Sequence, residues 1–187
     1  MKFKIIVSFV LAGLVSACGS NEPELIRQAK RLLGRKIELP VQYVSVPAAV
    51  GTVRLEDELA KPYKIITYLD RNACTKCALS VLKDWEEHLR DIPKEQVGFI
   101  PVIYPIDRSE LKMVVTALEL EYPLLYDVDN KFIDKNKLDG IRAVNRSFLL
   151  DSHSRIVVIG EPLNSGKLWM LYKNTLNTLS GTDGRSL

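Results

Sequence analysis

The chain has 187 residues, 26 Lys and Arg against 23 Asp and Glu, and 47% apolar side chains. This size and apolar content fit one domain with a full core, without internal repeats, low-complexity tracts or a second membrane-spanning stretch. The formal charge of +3, with no basic run longer than Lys30-Arg31 or Arg35-Lys36, gives no argument for nucleic acid as a partner.

Residues 1–17 read as a targeting segment. Lys2 and Lys4 open it, and the apolar stretch over 5–15 is too short to span a bilayer as a stable helix. Val15-Ser16-Ala17-Cys18 then resembles the bacterial lipobox, whose cysteine is lipidated and becomes the first residue. Gly19-Ser20-Asn21 reads as a flexible tether behind it. The expected location is the bacterial cell envelope, lipid-anchored at Cys18 and facing the periplasm, where disulfides persist. Glycine rather than aspartate after Cys18 favours the outer membrane. Without residues 1–17 the basic count falls to 24 against 23 acids, so the net charge is +1.

The elements follow in chain order. Residues 22–33 read as a short helix with Leu25, Ile26, Ala29, Leu32 and Leu33 on one face, stopped by Gly34. Residues 37–46, with β-branched side chains and an internal Pro40, read as an irregular or edge strand. With the tether they form an N-terminal extension over 18–59, ahead of a core domain over 60–180. In that domain 65–69 is a buried strand, and 74–90 an amphipathic helix with Ala78, Val81, Leu82, Trp85 and Leu89 inward. A second strand covers 97–104, and Pro101 demotes it to an edge or bulged strand. A helix over 109–121 shows Leu111, Val114, Val115 and Leu118 on its apolar face, with Ser109 as its cap. Residues 123–126 read as a short extra strand. Strands over 144–150 and 155–159 flank the turn Asp151-Ser152-His153-Ser154. A last helix starts at Asn164 or Ser165, with Leu168, Leu171, Tyr172, Thr175, Leu176 and Leu179 at helical spacing, and 181–187 forms a flexible tail.

The order β-α-β-α-insert-β-β-α combines a parallel βαβ unit with a late antiparallel hairpin. It predicts an α/β fold, a central mixed sheet with helices on both faces. Cys74-Thr75-Lys76-Cys77 sits where the first core strand hands over to a helix, which is a redox arrangement. With Cys18 accounted for, this pair can form the one intramolecular disulfide. The element order, with the pair at the end of the first core strand, resembles the thioredoxin fold over about residues 60–180. More narrowly the chain resembles the thioredoxin-like (redoxin, alkyl-hydroperoxide-reductase-like) lipoproteins of bacteria. Tyr122-Pro123-Leu124-Leu125-Tyr126-Asp127 and Ser147-Phe148-Leu149-Leu150-Asp151 match their insert and late-strand patterns.

The resemblance implies an anchored thiol–disulfide oxidoreductase in which Cys74 attacks and Cys77 resolves the mixed disulfide. Its partners would be a disulfide-bearing protein or thiol substrate and a membrane or periplasmic electron donor, with no cofactor. A helix N-terminus, with Arg71 and Lys76 nearby, is expected to lower the Cys74 pKa from about 8.5 into a range of roughly 3.5–7.5.

Other readings stay open. A catalytically silent, thioredoxin-like binding module is one. It is motivated by Ala73 where many thioredoxins have tryptophan, Tyr68 where they have a buried acid, and Asn145 where they have a cis-proline. A peroxidase is another, although the positions of the peroxiredoxin Pro-x-x-x-Thr-x-x-Cys frame hold Thr67 and Arg71; Arg142 or Arg146 would be its cationic partner. A purely structural disulfide would close too small a loop to restrain much of the unfolded chain. Zinc needs about four ligands, and only His88 and His153 remain to join the cysteines, so no metal is expected. Copper delivery would need a histidine near the pair, and His153 reads as a turn residue. Asp70 is the acid nearest the pair in sequence. Trp85 and Trp169 read as core, Asp127–Asn130 as a turn, and Gly160-Glu161-Pro162 as a loop.

Overall fold

Among the described residues, largely continuous apolar runs build six strands: β1 Val44–Val46, β2 Tyr63–Asp70, β3 Val97–Tyr104, β4 Leu124–Tyr126, β5 Ser147–Leu150 and β6 Ile156–Ile159. The computed structural model describes residues 23–39, 44–70, 75–104, 107–142 and 146–181. Its strands form one sheet in the order β1-β4-β3-β2-β5-β6. The β2–β3 and β3–β4 pairs are parallel; β2–β5, β5–β6 and β1–β4 are antiparallel. Among the described residues six α-helices cover it: α1 Glu24–Leu32, α2 Leu55–Ala60, α3 Thr75–His88, α4 Arg108–Ala117, α5 Lys131–Asn136 and α6 Gly166–Leu179. The mixed sheet with helices on both faces is the architecture expected from the element order.

Alternation along the strands divides the core in two. Ile65, Phe99, Ile103, Leu149 and Val158 face α3, α4 and α6. Ile66, Tyr68, Ile100, Val102 and Phe148 face α1, α2 and α5. On the first face Trp85 of α3 is fully buried, with its ring centroid 5.3 Å from Phe99 and 6.4 Å from Tyr172 of α6. Elements ahead of residue 60 take part in the same core: β1 pairs with β4, and Leu32 and Leu55 lie in the second cluster.

Several local expectations are corrected. The buried face of α1 is built on Gln28 and Leu32, while Ile26 and Leu33 stay about half exposed. Gln28 is polar, yet its side chain donates to Gly140 O at 3.1 Å and accepts from Arg142 N at 3.2 Å. Those two bonds satisfy the amide and dock α1. The cap of α4 is Asp107, whose carboxylate accepts from the backbone of Ser109 and Glu110, so Ser109 is already helical. On α6, Trp169 is buried in place of Leu171, which is half exposed. Two six-residue helices, α2 and α5, are too short to show helical periodicity. Asn136 at the end of α5 exchanges two 2.8 Å bonds with the backbone of Glu38, so one side chain pairs the extension as a strand would.

Pro101 falls in an interior strand with unbroken register against β2, neither an edge nor a bulge. The reason is directional. Asp127 N donates to Ile103 O, so odd positions of β3 point toward β4. The strand β4 begins only at Leu124, opposite the last part of β3, so lower down this side no strand among the described residues pairs with it. Pro101 has no N–H to leave unpaired there, and the Phe99 N–H is capped at 2.7 Å by the buried Glu58 carboxylate. Glu58 also pairs with Lys61. This cap brings α2 so close that a Cβ on Gly98 would lie 2.1 Å from Glu58 O. Gly98→Ala should therefore lower unfolding stability by at least about 2 kcal/mol, since backbone must move. Glu58→Ala should cost roughly 1–3 kcal/mol through the orphaned Phe99 N–H. Urea titration tests both, and an unchanged midpoint for Gly98→Ala would refute the close approach.

Candidate functional site

Parallel β2, β3 and β4 end at one edge of the sheet. Because Thr67 pairs with Ser147, and Phe148 with Ile159, β5 begins and β6 ends at that same edge. The helix α3 starts there at Thr75, the residue after Cys74, and Cys77 is its third residue. Cys74, Arg71, Ala73, Asn145 and the anchor candidate Cys18 lie outside the described residues. The strand β2 closes at Asp70.

Several side chains furnish this edge. Thr67 and Ser147 are both buried, with their hydroxyl oxygens 2.9 Å apart. Thr67 shares the parity of Ile65 and so lies on the α3 side of β2. Tyr68, in place of an acid, points to the other side. Its ring stacks on Phe132 at 5.7 Å, and its hydroxyl donates to Asn130 Oδ1 at 2.8 Å. The Arg146 guanidinium lies 5.7 Å over the Tyr68 ring and donates through Nε to Ile141 O. Asn130 (φ 58°) follows Asp129 (φ 70°) in left-handed backbone, which Asn and Asp tolerate better than most residues.

Two carboxylates at this edge hold protons unusually well. Asp127 follows β4 and is completely buried. Its Oδ2 accepts from Phe132 N at 2.9 Å, while Oδ1 has no hydrogen-bond partner. Burial pushes its carboxyl above the usual range, against the lowering effect of backbone N–H donors from Phe132 and Lys131. Glu161 follows β6 and is half-buried. Its carboxyl is also pushed up, mainly by burial and further by the charge of Asp84 on α3. Next to it, Gly160 O accepts from the buried Tyr172 hydroxyl at 2.8 Å.

The two histidines go elsewhere. His88 is at the far end of α3, its Nδ1 3.0 Å from Asp84 O and its ring edge-on to Trp169 at 5.0 Å. His153 sits in the β5–β6 turn, at the opposite edge of the sheet from Thr75. Among the described residues no group of three or more His, Cys, Asp or Glu could hold a metal ion. Sequence reasoning missed the Thr67–Ser147 pair, the Asn130 partner of Tyr68 and the burial of Asp127. Each depends on which strands become neighbours.

Comparison with solved structures places the fold. A cysteine-to-serine variant of PrxQ from Xylella fastidiosa superposes with a TM-score of 0.53 at 13% identity, over 79% of this chain and 96% of that one. A thiol-disulfide isomerase from Corynebacterium glutamicum gives 0.50 at 13% identity, over 80% and 97%. The thioredoxin domain of a thiol-disulfide oxidoreductase from Bacteroides vulgatus gives 0.50 at 12% identity, over 73% and 94%. The fold is thioredoxin-like. No family profile matches the chain, and no curated protein matches it in sequence.

The Asp127 shift has a definite sign. With a folded pKa above the unfolded value of about 3.9, the neutral acid stabilises the fold fully below that value, and the contribution is lost as pH rises through the folded pKa. Asp127→Asn keeps an oxygen for Phe132 N and cannot ionise. Its stability relative to the parent should rise between about pH 4 and neutrality. Urea unfolding at stepped pH measures this, and a constant offset at every pH would contradict it.

Proposed function

We propose that the chain is a lipid-anchored thiol–disulfide oxidoreductase of the bacterial envelope, held at Cys18 and facing the periplasm. What supports this reading is that Cys74-Thr75-Lys76-Cys77 falls, in sequence, between the end of β2 at Asp70 and the first turn of α3 in a thioredoxin-like fold. A helix start offers free backbone N–H groups and the positive end of the helix dipole, and both favour a thiolate. The exposed Lys76 adds positive charge.

In the proposed reaction the Cys74 thiolate attacks one sulfur of a substrate disulfide. A mixed disulfide forms, and the other substrate sulfur leaves as a thiolate that takes up a proton. Cys77 then loses its proton and attacks the Cys74 sulfur, which releases the second substrate thiol. The substrate gains two electrons and the 74–77 pair becomes a disulfide. A dithiol donor of the envelope would return the pair to its reduced form. With the family's acid position held by Tyr68, whose hydroxyl is committed to Asn130, an inert scaffold for protein binding is the second reading.

The expected outcomes separate the two. The reduced protein should catalyse insulin reduction, Cys74→Ser should abolish turnover, and Cys77→Ser should accumulate the mixed disulfide. Alkylation of Cys74 should titrate well below the free-thiol value of about 8.5. Titration near that value, with no turnover, would leave the scaffold reading. Growth with a labelled fatty acid should mark the parent and not Cys18→Ala; equal labelling would remove the anchor.

A further inference from the structure

The described chain begins at the helix α1, and Glu24 stands only six residues after Cys18. Six residues reach about 20 Å when fully extended. A chain held at Cys18 therefore keeps α1 next to the membrane surface, and this step rests on the anchor reading above. The outward side of α1 is built for such a surface. Gln28 and Leu32 face the core, while Ile26 and Leu33, seven residues apart, are 46% and 49% exposed. Lys30, also exposed, lies between them along the helix. Arg27 and Arg31 add exposed guanidinium groups, both paired to Glu24, and Arg35 and Lys36 follow at once.

Charge is concentrated here. Residues 24–36 hold five basic groups and one acidic group, a net +4, whereas the rest of 18–187 holds 19 basic and 22 acidic, a net −3. Exposed aliphatic side chains on a short basic helix are the features that bind an interfacial helix to anionic lipid. We propose that the outer face of α1 rests on the anionic phospholipid headgroups of the membrane that holds the anchor. Ile26 and Leu33 enter the interface, and the basic side chains lie at the level of the phosphates. The helix carrying Cys77 is on the opposite face of the sheet from α1. Docking through α1 thus leaves the α3 face turned away from the bilayer and open to partners in the periplasm.

The test uses the chain from residue 18 with Cys18→Ser, so that no acyl group contributes. It should sediment with vesicles of phosphatidylcholine mixed with phosphatidylglycerol, not with phosphatidylcholine alone, and should be released by high salt. Lys30→Glu with Lys36→Glu should weaken binding by about tenfold or more. Ile26→Ser with Leu33→Ser should also weaken it, with circular dichroism unchanged because all four substituted residues are exposed. No binding to the anionic vesicles, equal binding to both lipids, or undiminished binding of both double variants would overturn the proposal. So would lipid-free self-association that the Ile26/Leu33 changes abolish, since the face would then join two copies. Because this chain carries no lipid, failure of the Cys18 labelling experiment and failure of vesicle binding are separate results.

Discussion

Trp85 decides where α3 sits, and the placement of α3 decides where its first turn meets the sheet. The indole is completely buried between Phe99 of β3 and Tyr172 of α6, so one side chain couples the helix to the central strand and to the last helix. Removing such a ring costs ~3–5 kcal/mol in a close-packed core. A helix start carries a useful electrostatic field only over its first turn. Any chemistry at the β2–α3 junction thus depends on a contact about three turns further along the helix.

The sheet itself needed two unusual solutions. Its central strand β3 has a partner on the β4 side over only part of its length. The part without a neighbouring strand is closed by a residue without an N–H, Pro101, and by a carboxylate, Glu58, that mimics a strand carbonyl at Phe99. A buried carboxylate is costly unless paired, and Lys61 supplies the pairing for Glu58. Glu86 follows the same logic on α3: it is buried, lies 2.6 Å from Lys83 and accepts from Glu121 N at 2.6 Å. Asp127 breaks the pattern. It has backbone donors on one oxygen and nothing on the other, and burial raises its pKa instead.

What could be read from the chain follows from how local each signal is. The long strands announce themselves as apolar runs, α3, α4 and α6 by helical periodicity, and the Cys-x-x-Cys pair by its position between a strand and a helix. The buried edge of α1 could not be read, because Gln28 looks solvent-exposed until the loop at Gly140 and Arg142 supplies its partners. Pro101 reads as an edge signal because a sequence does not say on which side a strand lacks its neighbour. The same limit hides the furnishing of the site. Thr67 and Ser147 are 80 positions apart, Tyr68 and Asn130 are 62 apart, and only the sheet order β4-β3-β2-β5 brings them to one edge.

Tyr68 shows what such a substitution does to the chemistry open to the edge. A buried acid beside a resolving thiol can accept its proton; a tyrosine, with an ordinary pKa near 10, does not do so at neutral pH. Here the hydroxyl is further committed to Asn130, and the ring stacks on Phe132 and lies near the Arg146 guanidinium. By strand parity the side chain also lies on the α1, α2 and α5 side of β2, away from the face that α3 covers. Tyr68 is therefore a packing element that ties the insert to the sheet. Proton transfer at the pair would fall to water or to a carboxyl on the α3 side. Glu161, which follows β6 at this edge, has its proton affinity raised mainly by burial. Position 68 itself is given to packing rather than to proton exchange.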